Sequence, residues 1–361
     1  MKTSARNLPK GLGLVAPLLI ASILATASQG SPSATRLWSV GPLTKSEPVM
    51  GISFGANGPT TTAPHVDSQT SSTFAATRSI AFVGDRIVIA SMLGMEKSEG
   101  AKVPRLVYKL LSLDVKSGAV KDTREILVYA SLEIFEADEG HVIVSGQKLF
   151  RLTPDLKDDG SLDVKGNVHN ISPDGSTLGN ATYPGFQSID ARTFRTTPVT
   201  ADAGVDRSVN RKGYLTNNVF WTGEYPEESG FVTYVDASGQ HLLYHGKCGG
   251  MPDFLTDELF LETGCKNPLI IDLHGNLIRT LSPKGRSSYA GVSQDGKRFA
   301  LQVRNSSNSE RFVIYSLDTG EPLVEVAPKE KADEQSWTAF SPDGSLFVVG
   351  SPLKLTLYRL P

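Results

Sequence analysis

"FSPDGSLFVVG", residues 340–350, sets a serine, a proline, an aspartate and a glycine directly ahead of a run of apolar residues. Ser341 and Asp343 are either a fragment of chemistry or a bend between two strands. A bend has a local physical cause. Proline presets φ near −65°, aspartate tolerates the following position, and glycine accepts the positive φ with which the chain rejoins the ladder.

Repetition decides between the two. "ISPDGSTLG" (171–179) and "VSQDGKRFAL" (292–301) carry the same turn, and "YLTNNVFWTG" (214–223) and "FLTDELFLETG" (254–264) read as a variant of it. "AFVGDRIVIAS" (81–91) and "FEADEGHVIVSG" (135–146) are weaker copies. The turn residues Asp85, Asp138, Asp174, Asn217, Asp257, Asp295 and Asp343 follow one another at a mean of about 43 residues, the length of a four-stranded propeller blade. A residue type needed once in every repeat is a turn former, not a catalyst.

A second series, "LDVKSG" (113–118), "VDASG" (235–239), "IDLHG" (271–275) and "LDTG" (317–320), marks turns between third and fourth strands. Beyond the N-terminal leader no segment sustains a 3.6-residue apolar period. The sequence therefore predicts an all-β, seven-bladed β-propeller of four-stranded antiparallel blades. Too little chain follows Asp343 to complete its blade, so "ATRLWSVGPL" (34–43) is expected to pair beside residues 353–360 and close the ring, removing an exposed edge. Residues 44–77, rich in Thr, Ser, Gly and Pro, form a long polar connection, either mobile or laid across one face.

"FSPDG" before an apolar strand, with "YSLDTG" at 315–320, resembles the WD-like propeller repeats of bacterial exported proteins, the group that includes the periplasmic Tol-system propeller. The resemblance spans nearly all of the mature chain and implies the fold. Its motifs are structural, so it implies no activity. Family members include protein-binding scaffolds, and related propellers include enzymes.

Composition and leader bound the function. With 36 basic and 38 acidic residues the chain has a formal charge of −2, leaving no basic excess for nucleic acid. Lys2, Arg6 and Lys10 precede an apolar run, 11–25, that is shorter than the ~20 residues a bilayer needs and ends in an A-x-A site at Ala25 and Ala27. Residues 1–27 are read as a signal peptide and 28–361 as a single propeller, exported to the periplasm or outside the cell, with no membrane span after cleavage.

Catalytic motifs are weak by comparison. "GISFG" (51–55) matches G-x-S-x-G at Ser53, but "ANGPTTTAP" cannot supply the helix of a nucleophile elbow. His241 and His245 chelate on a helix, but in a strand they stand about 13 Å apart; His65, His141, His169 and His274 are single. "KDDGSLD" (157–163) lacks the alternating ligands of a calcium loop and reads as a solvated turn. Adjacent Asp-Gly pairs differ from the sialidase turn, and three tryptophans, Trp38, Trp221 and Trp337, are too few for a quinone propeller. No metal and no cofactor is expected.

The expectation is a non-enzymatic monomer that binds or scaffolds a protein or glycan partner. The alternative is a propeller hydrolase or lyase acting on a glycan-type substrate with carboxylates from several blades. Regular turns fall on one face, whereas residues 93–104, 222–230 and 304–311 connect second to third strands on the other. This places Glu96, Glu99, Glu224, Tyr225, Arg304 and Arg311 at one loop-rich mouth as candidate contacts. A two-residue turn at Thr256-Asp257 would pair Leu255 with Glu258. The same register carried outward sets Cys248 opposite Cys265, and an exported compartment permits the disulfide.

Overall fold

The computed structural model describes residues 33–41, 53–55, 58–60, 80–96, 105–128, 132–137, 140–146, 148–165, 167–181, 185–200, 206–219, 230–246, 252–307, 309–327, 337–351 and 354–361. The expected leader, residues 1–27, lies outside them. Of the 44–77 connection only a short hairpin is described, Ser53–Gly55 paired with Gly58–Thr60.

Seven four-stranded antiparallel sheets follow one another along the chain. Their innermost strands, from blade I to blade VII, are Ile80–Val83, Glu133–Glu136, Asn167–Ile171, Asp206–Val209, Pro252–Phe254, Arg286–Val292 and Trp337–Phe340. In blades I to VI the four strands run in sequence order. In blade VII the outermost strand is Thr35–Val40, which pairs antiparallel with Lys354–Arg359. The N-terminal strand closes the ring, as expected.

Strand periodicity explains the packing. Alternate side chains leave opposite faces of each sheet, so one strand serves two neighbours. Ala81 and Val83 pack toward blade II with Ile134 and Val144, while Ile80 and Phe82 pack toward blade VII with Val348 and Leu357. Among the described residues the buried apolar side chains fall into seven clusters, one for each pair of adjacent blades, including VII with I. A closed ring needs as many interfaces as blades. Each fully buried Leu, Ile or Phe contributes roughly 1.5–3 kcal/mol, so the interfaces carry the stability and no blade stands alone.

The serine-aspartate turns are structural. In blade VII, Ser341 Oγ donates to Asp343 Oδ1 at 2.6 Å and accepts from the Leu346 N–H at 2.9 Å, and the Gly344 N–H donates to the Ser341 carbonyl at 2.8 Å. Ser172 with Asp174 and Ser293 with Asp295 repeat the arrangement at 2.5 and 2.6 Å. Gly175, Gly296 and Gly344 have φ of 76°, 66° and 66°, the region that excludes most other residues.

Three expectations are corrected. Asn217 is a strand residue in Gly213–Val219, paired with Val232; the blade IV turn is built instead on Asn210, whose Oδ1 accepts from the Lys212 and Gly213 N–H groups at 2.9 and 2.8 Å. Burial of Tyr214 and Leu215 fixes that stretch as a strand, whereas "VNRKG" places an amide where the other blades use serine and aspartate. Second, Asp158–Asp163 is the outermost strand of blade II, not a turn, paired along Lys148–Leu152.

Third, the blade V hairpin is one residue out of the expected register. Phe254 pairs with Phe260 and Pro252 with Glu262; five residues, 255–259, lie between the two phenylalanines, and the chain turns at 255–258. Thr256 Oγ1 holds that turn by accepting from the Glu258 and Leu259 N–H groups at 3.2 and 3.1 Å. Leu255 therefore does not face Glu258; Cys248 lies outside the described residues.

Candidate functional site: two unlike faces and a central channel

The faces of the ring differ in which connections they carry. On the turn face, aspartates of the second series are also consumed locally: Asp114 Oδ1 accepts from the Ser117 N–H and hydroxyl at 2.8 and 2.7 Å, and Asp272 Oδ1 from the His274 and Asn276 N–H groups, both at 2.8 Å. Asp190, in a turn absent from the expected series, accepts from the Thr193 N–H at 2.6 Å. These bonds hold the carboxyls below the usual carboxylate range: in Asp343 the Ser341 hydroxyl is the largest cause, and in Asp272 the Asn276 side chain.

Turns of neighbouring blades are also joined. Arg211 of blade IV reaches Asp174 of blade III, Nε to Oδ2 at 2.6 Å, and Asp257 of blade V, Nε to Oδ2 at 3.2 Å. Arg298 of blade VI donates to the Gly344 carbonyl at 3.0 Å and to that of Pro361 at 2.8 Å.

The opposite face carries the blade-to-blade links and the connections from second to third strands. Arg311 Nη2 donates to the carbonyl of Lys284, in the link from blade V to blade VI, at 3.0 Å. The link and the 304–310 connection therefore share one side, as expected. Glu96 and Arg304 hold equivalent places, each the last residue of a second strand, Arg86–Glu96 and Arg298–Arg304. Glu99, Glu224 and Tyr225 lie outside the described residues, as does Cys248. Cys265 lies in the 263–268 connection of blade V, between Leu259–Glu262 and Leu269–Asp272.

Arg304 and Arg311 have internal partners that the sequence did not reveal. Arg304 Nη2 donates to Glu310 Oε2 at 3.3 Å; the Glu310 side chain is only 3% exposed, against 47% for Arg304. Arg311 Nε lies 3.4 Å from Glu325 Oε2. Both arginines hold the connection as well as presenting charge at the rim.

His241 lies 3.4 Å from Asp236, and His245 stacks on Phe231 with ring centroids 4.4 Å apart, so neither directs the other toward a shared ligand.

The innermost strands of all seven blades surround a channel cavity of about 290 Å³. Glu136 of blade II and Asp253 of blade V line it, with Asn170, Gln294 and Gln302 as further polar groups and Phe254, Tyr289 and Trp337 as aromatic wall. Burial pushes the Glu136 carboxyl well above its ordinary pKa, opposed by the Phe82 N–H that donates to it. Its Oε1 is buried without a hydrogen-bond partner. Gln294 Nε2 reaches across the channel to the Glu136 carbonyl at 3.4 Å, joining blade VI to blade II at the level of the turns.

Neither residue stands out in the sequence as a site residue. One signal for Gln294 is visible there: "VSQDG" carries glutamine where "ISPDG" and "FSPDG" carry proline. Glu136 has only its place at the end of an apolar run. Among the described residues no three His, Cys, Asp or Glu side chains gather as a metal cluster.

Strand order, the ring of interfaces and the axial channel define a seven-bladed β-propeller. No family model matches the chain, and no curated protein matches it. Among solved structures, the β-propeller domain of Myceliophteria thermophila Cps50 (Swd1) aligns over 79% of this chain and 96% of that one at 12% identity, with a TM-score of 0.47. BamB from Moraxella catarrhalis aligns over 78% and 96% at 13% identity and a TM-score of 0.39. TolB from Acinetobacter baumannii aligns over 75% and 80% at 14% identity, also at 0.39. The assignment of the fold rests on the strand order itself.

Proposed function

We propose that this protein is an exported, non-enzymatic propeller that binds or scaffolds a protein or glycan partner at its loop-rich mouth. One observation supports the reading: short hairpin turns held by their own aspartates make up one face, whereas the blade-to-blade links and the second-to-third-strand connections lie together on the other, where a rigid ring presents them. Export rests on the basic, apolar and small-residue order of positions 1–27. Cys248 and Cys265 form a disulfide in this reading. Since Cys248 belongs to the blade IV to V link and Cys265 to the following 263–268 connection, the bridge ties two segments of the mouth together.

The experiment compares two surface variants for capture of partners from the native exported fraction by cross-linking. In the first, Glu96, Glu99, Glu224 and Tyr225 become serine, while Arg304 and Arg311 are kept because they support the connection. In the second, Lys212, Lys297 and Lys116 on the turn face become serine. Loss of capture in the first alone supports the assignment; loss in the second alone overturns it. The enzymatic alternative draws on one feature, the presence of Glu136 and Asp253 in the same channel. Release of new reducing ends or unsaturated products from glycans, abolished by Glu136→Gln, would replace binding with catalysis.

A further inference from the structure

Glu136 is expensive to keep in the channel without a counter-ion. A carboxyl in a desolvated site is neutralised by a proton or by a cation, and Oε1 has no donor of its own. None of the described residues lining the cavity is Lys, Arg or His, while Asp253 adds a second acid from blade V. The field inside therefore disfavours anions. Tyr289 and Trp337 supply aromatic wall, and Ile134, Ala290 and Phe340 supply apolar wall. A bare metal ion would leave these surfaces unused, whereas a cation on a hydrocarbon stem uses both the acid and the rings.

The channel also has a floor. Gln294 sits in the blade VI turn and bonds to the Glu136 backbone, so these groups narrow the turn-face end. A group entering from the other end meets Glu136 at the bottom of a cup.

We propose that the channel receives an organic cation, an ammonium or guanidinium group on an aliphatic stem, with Glu136 as its counter-ion. The route of entry rests on the loop-rich mouth being the side from which a partner approaches; the recognition chemistry does not. Two sources share that chemistry: the side chain of a lysine or arginine projected by a partner protein, and a free polyamine.

Calorimetric titration of the intact propeller tests it, with n-butylguanidinium and n-butylammonium as probes and n-butanol and n-butyrate as matched neutral and anionic controls. The cations should bind saturably and at least tenfold more tightly than either control, and Glu136→Gln should reduce their affinity at least tenfold. Equal binding of n-butanol, or cation binding unchanged in Glu136→Gln, overturns the proposal. Should Glu136→Gln not fold, the wild type decides: with the Glu136 titration midpoint first read by NMR, calorimetric titration below that midpoint in two buffers of different ionisation enthalpy should show protons released on binding. The other titratable groups lining the cavity are Asp253 and Tyr289, and Asp253→Asn should leave most of that release in place. Absence of release overturns the proposal.

A blocked Gly-Lys-Gly peptide binding more tightly than spermidine points to a partner side chain, and the reverse to a free polyamine. The mouth variant that loses partner capture should still bind n-butylguanidinium, so the two readings fail separately.

Discussion

The Trp38 indole N–H donates to the Val115 carbonyl at 2.6 Å, so the strand that completes blade VII is also fastened to blade I. Ser39 Oγ adds a bond to Thr356 Oγ1 within the blade, at 2.9 Å. Deletion of residues 34–43 should remove both and expose the edge of Lys354–Arg359, abolishing cooperative unfolding at the wild-type temperature. Trp38→Phe should cost about 1 kcal/mol for the lost bond. Shortening within residues 61–77 should change stability by less than about 1 kcal/mol, because closure entropy varies slowly with loop length. Thermal and urea denaturation of the three variants checks the order.

The turn aspartates should make the ring acid-sensitive. Asp343, depressed by the Ser341 hydroxyl first and then by Ser345, contributes stability that is present above the unfolded carboxylate pKa and lost as pH falls through the lower folded value. Asp343→Ala should therefore cost about 1 kcal/mol at pH 7 and progressively less toward pH 2. Urea midpoints of the wild type and the variant should converge on acidification; a gap independent of pH would show that the carboxylate charge is not what holds the turn.

Glu136 carries the opposite sign. Its folded pKa lies above the unfolded one, so between the two the folded state holds a proton that the unfolded state has released. Stability then falls as pH rises from the ordinary glutamate range through the folded pKa. Glu136→Gln should melt above the wild type at pH 8, with the gap closing near pH 4. Melting curves across that range test it, and a wild type consistently above the variant would refute the burial argument.

Arg304 offers a sharper stability test than its exposure suggests. Removing it leaves the buried Glu310 carboxyl without the guanidinium beside it, and Arg304→Ala should cost about 1–3 kcal/mol. The double variant with Glu310→Ala should recover part of that loss. Additive costs in urea denaturation would show that the pair is not coupled.

Thiol titration addresses the two cysteines. Unfolded, unreduced protein should present no free thiol, and reduced protein two. Reduction should lower stability by at most about 3 kcal/mol, the scale for a short closed loop.

Turn chemistry is local, which is why the fold is legible in the sequence. Proline, aspartate and glycine act on the φ and ψ of two or three neighbouring residues, so "FSPDG" marks a hairpin wherever it stands, and its recurrence counts blades. The closing strand is legible for a related reason: a blade short of one strand demands another.

Register and convergence are not local. Thr216-Asn217-Asn218 has turn-like composition, yet packing of Tyr214 and Leu215 between blades makes it strand and leaves the turn to Asn210. In the blade V turn the Thr256 hydroxyl accepts from the Leu259 N–H, and no rule of spacing specifies that side-chain bond. The channel lies furthest from what sequence can state. Glu136 and Gln294 are separated by 158 positions and meet only because seven interfaces bend the chain into a ring. Sequence alone determined the repeat, the blade count and the closure; which acids face the axis, and that one of them keeps a carboxyl oxygen buried and unpaired, was decided by tertiary structure, because burial is a property of the closed ring and of no single blade.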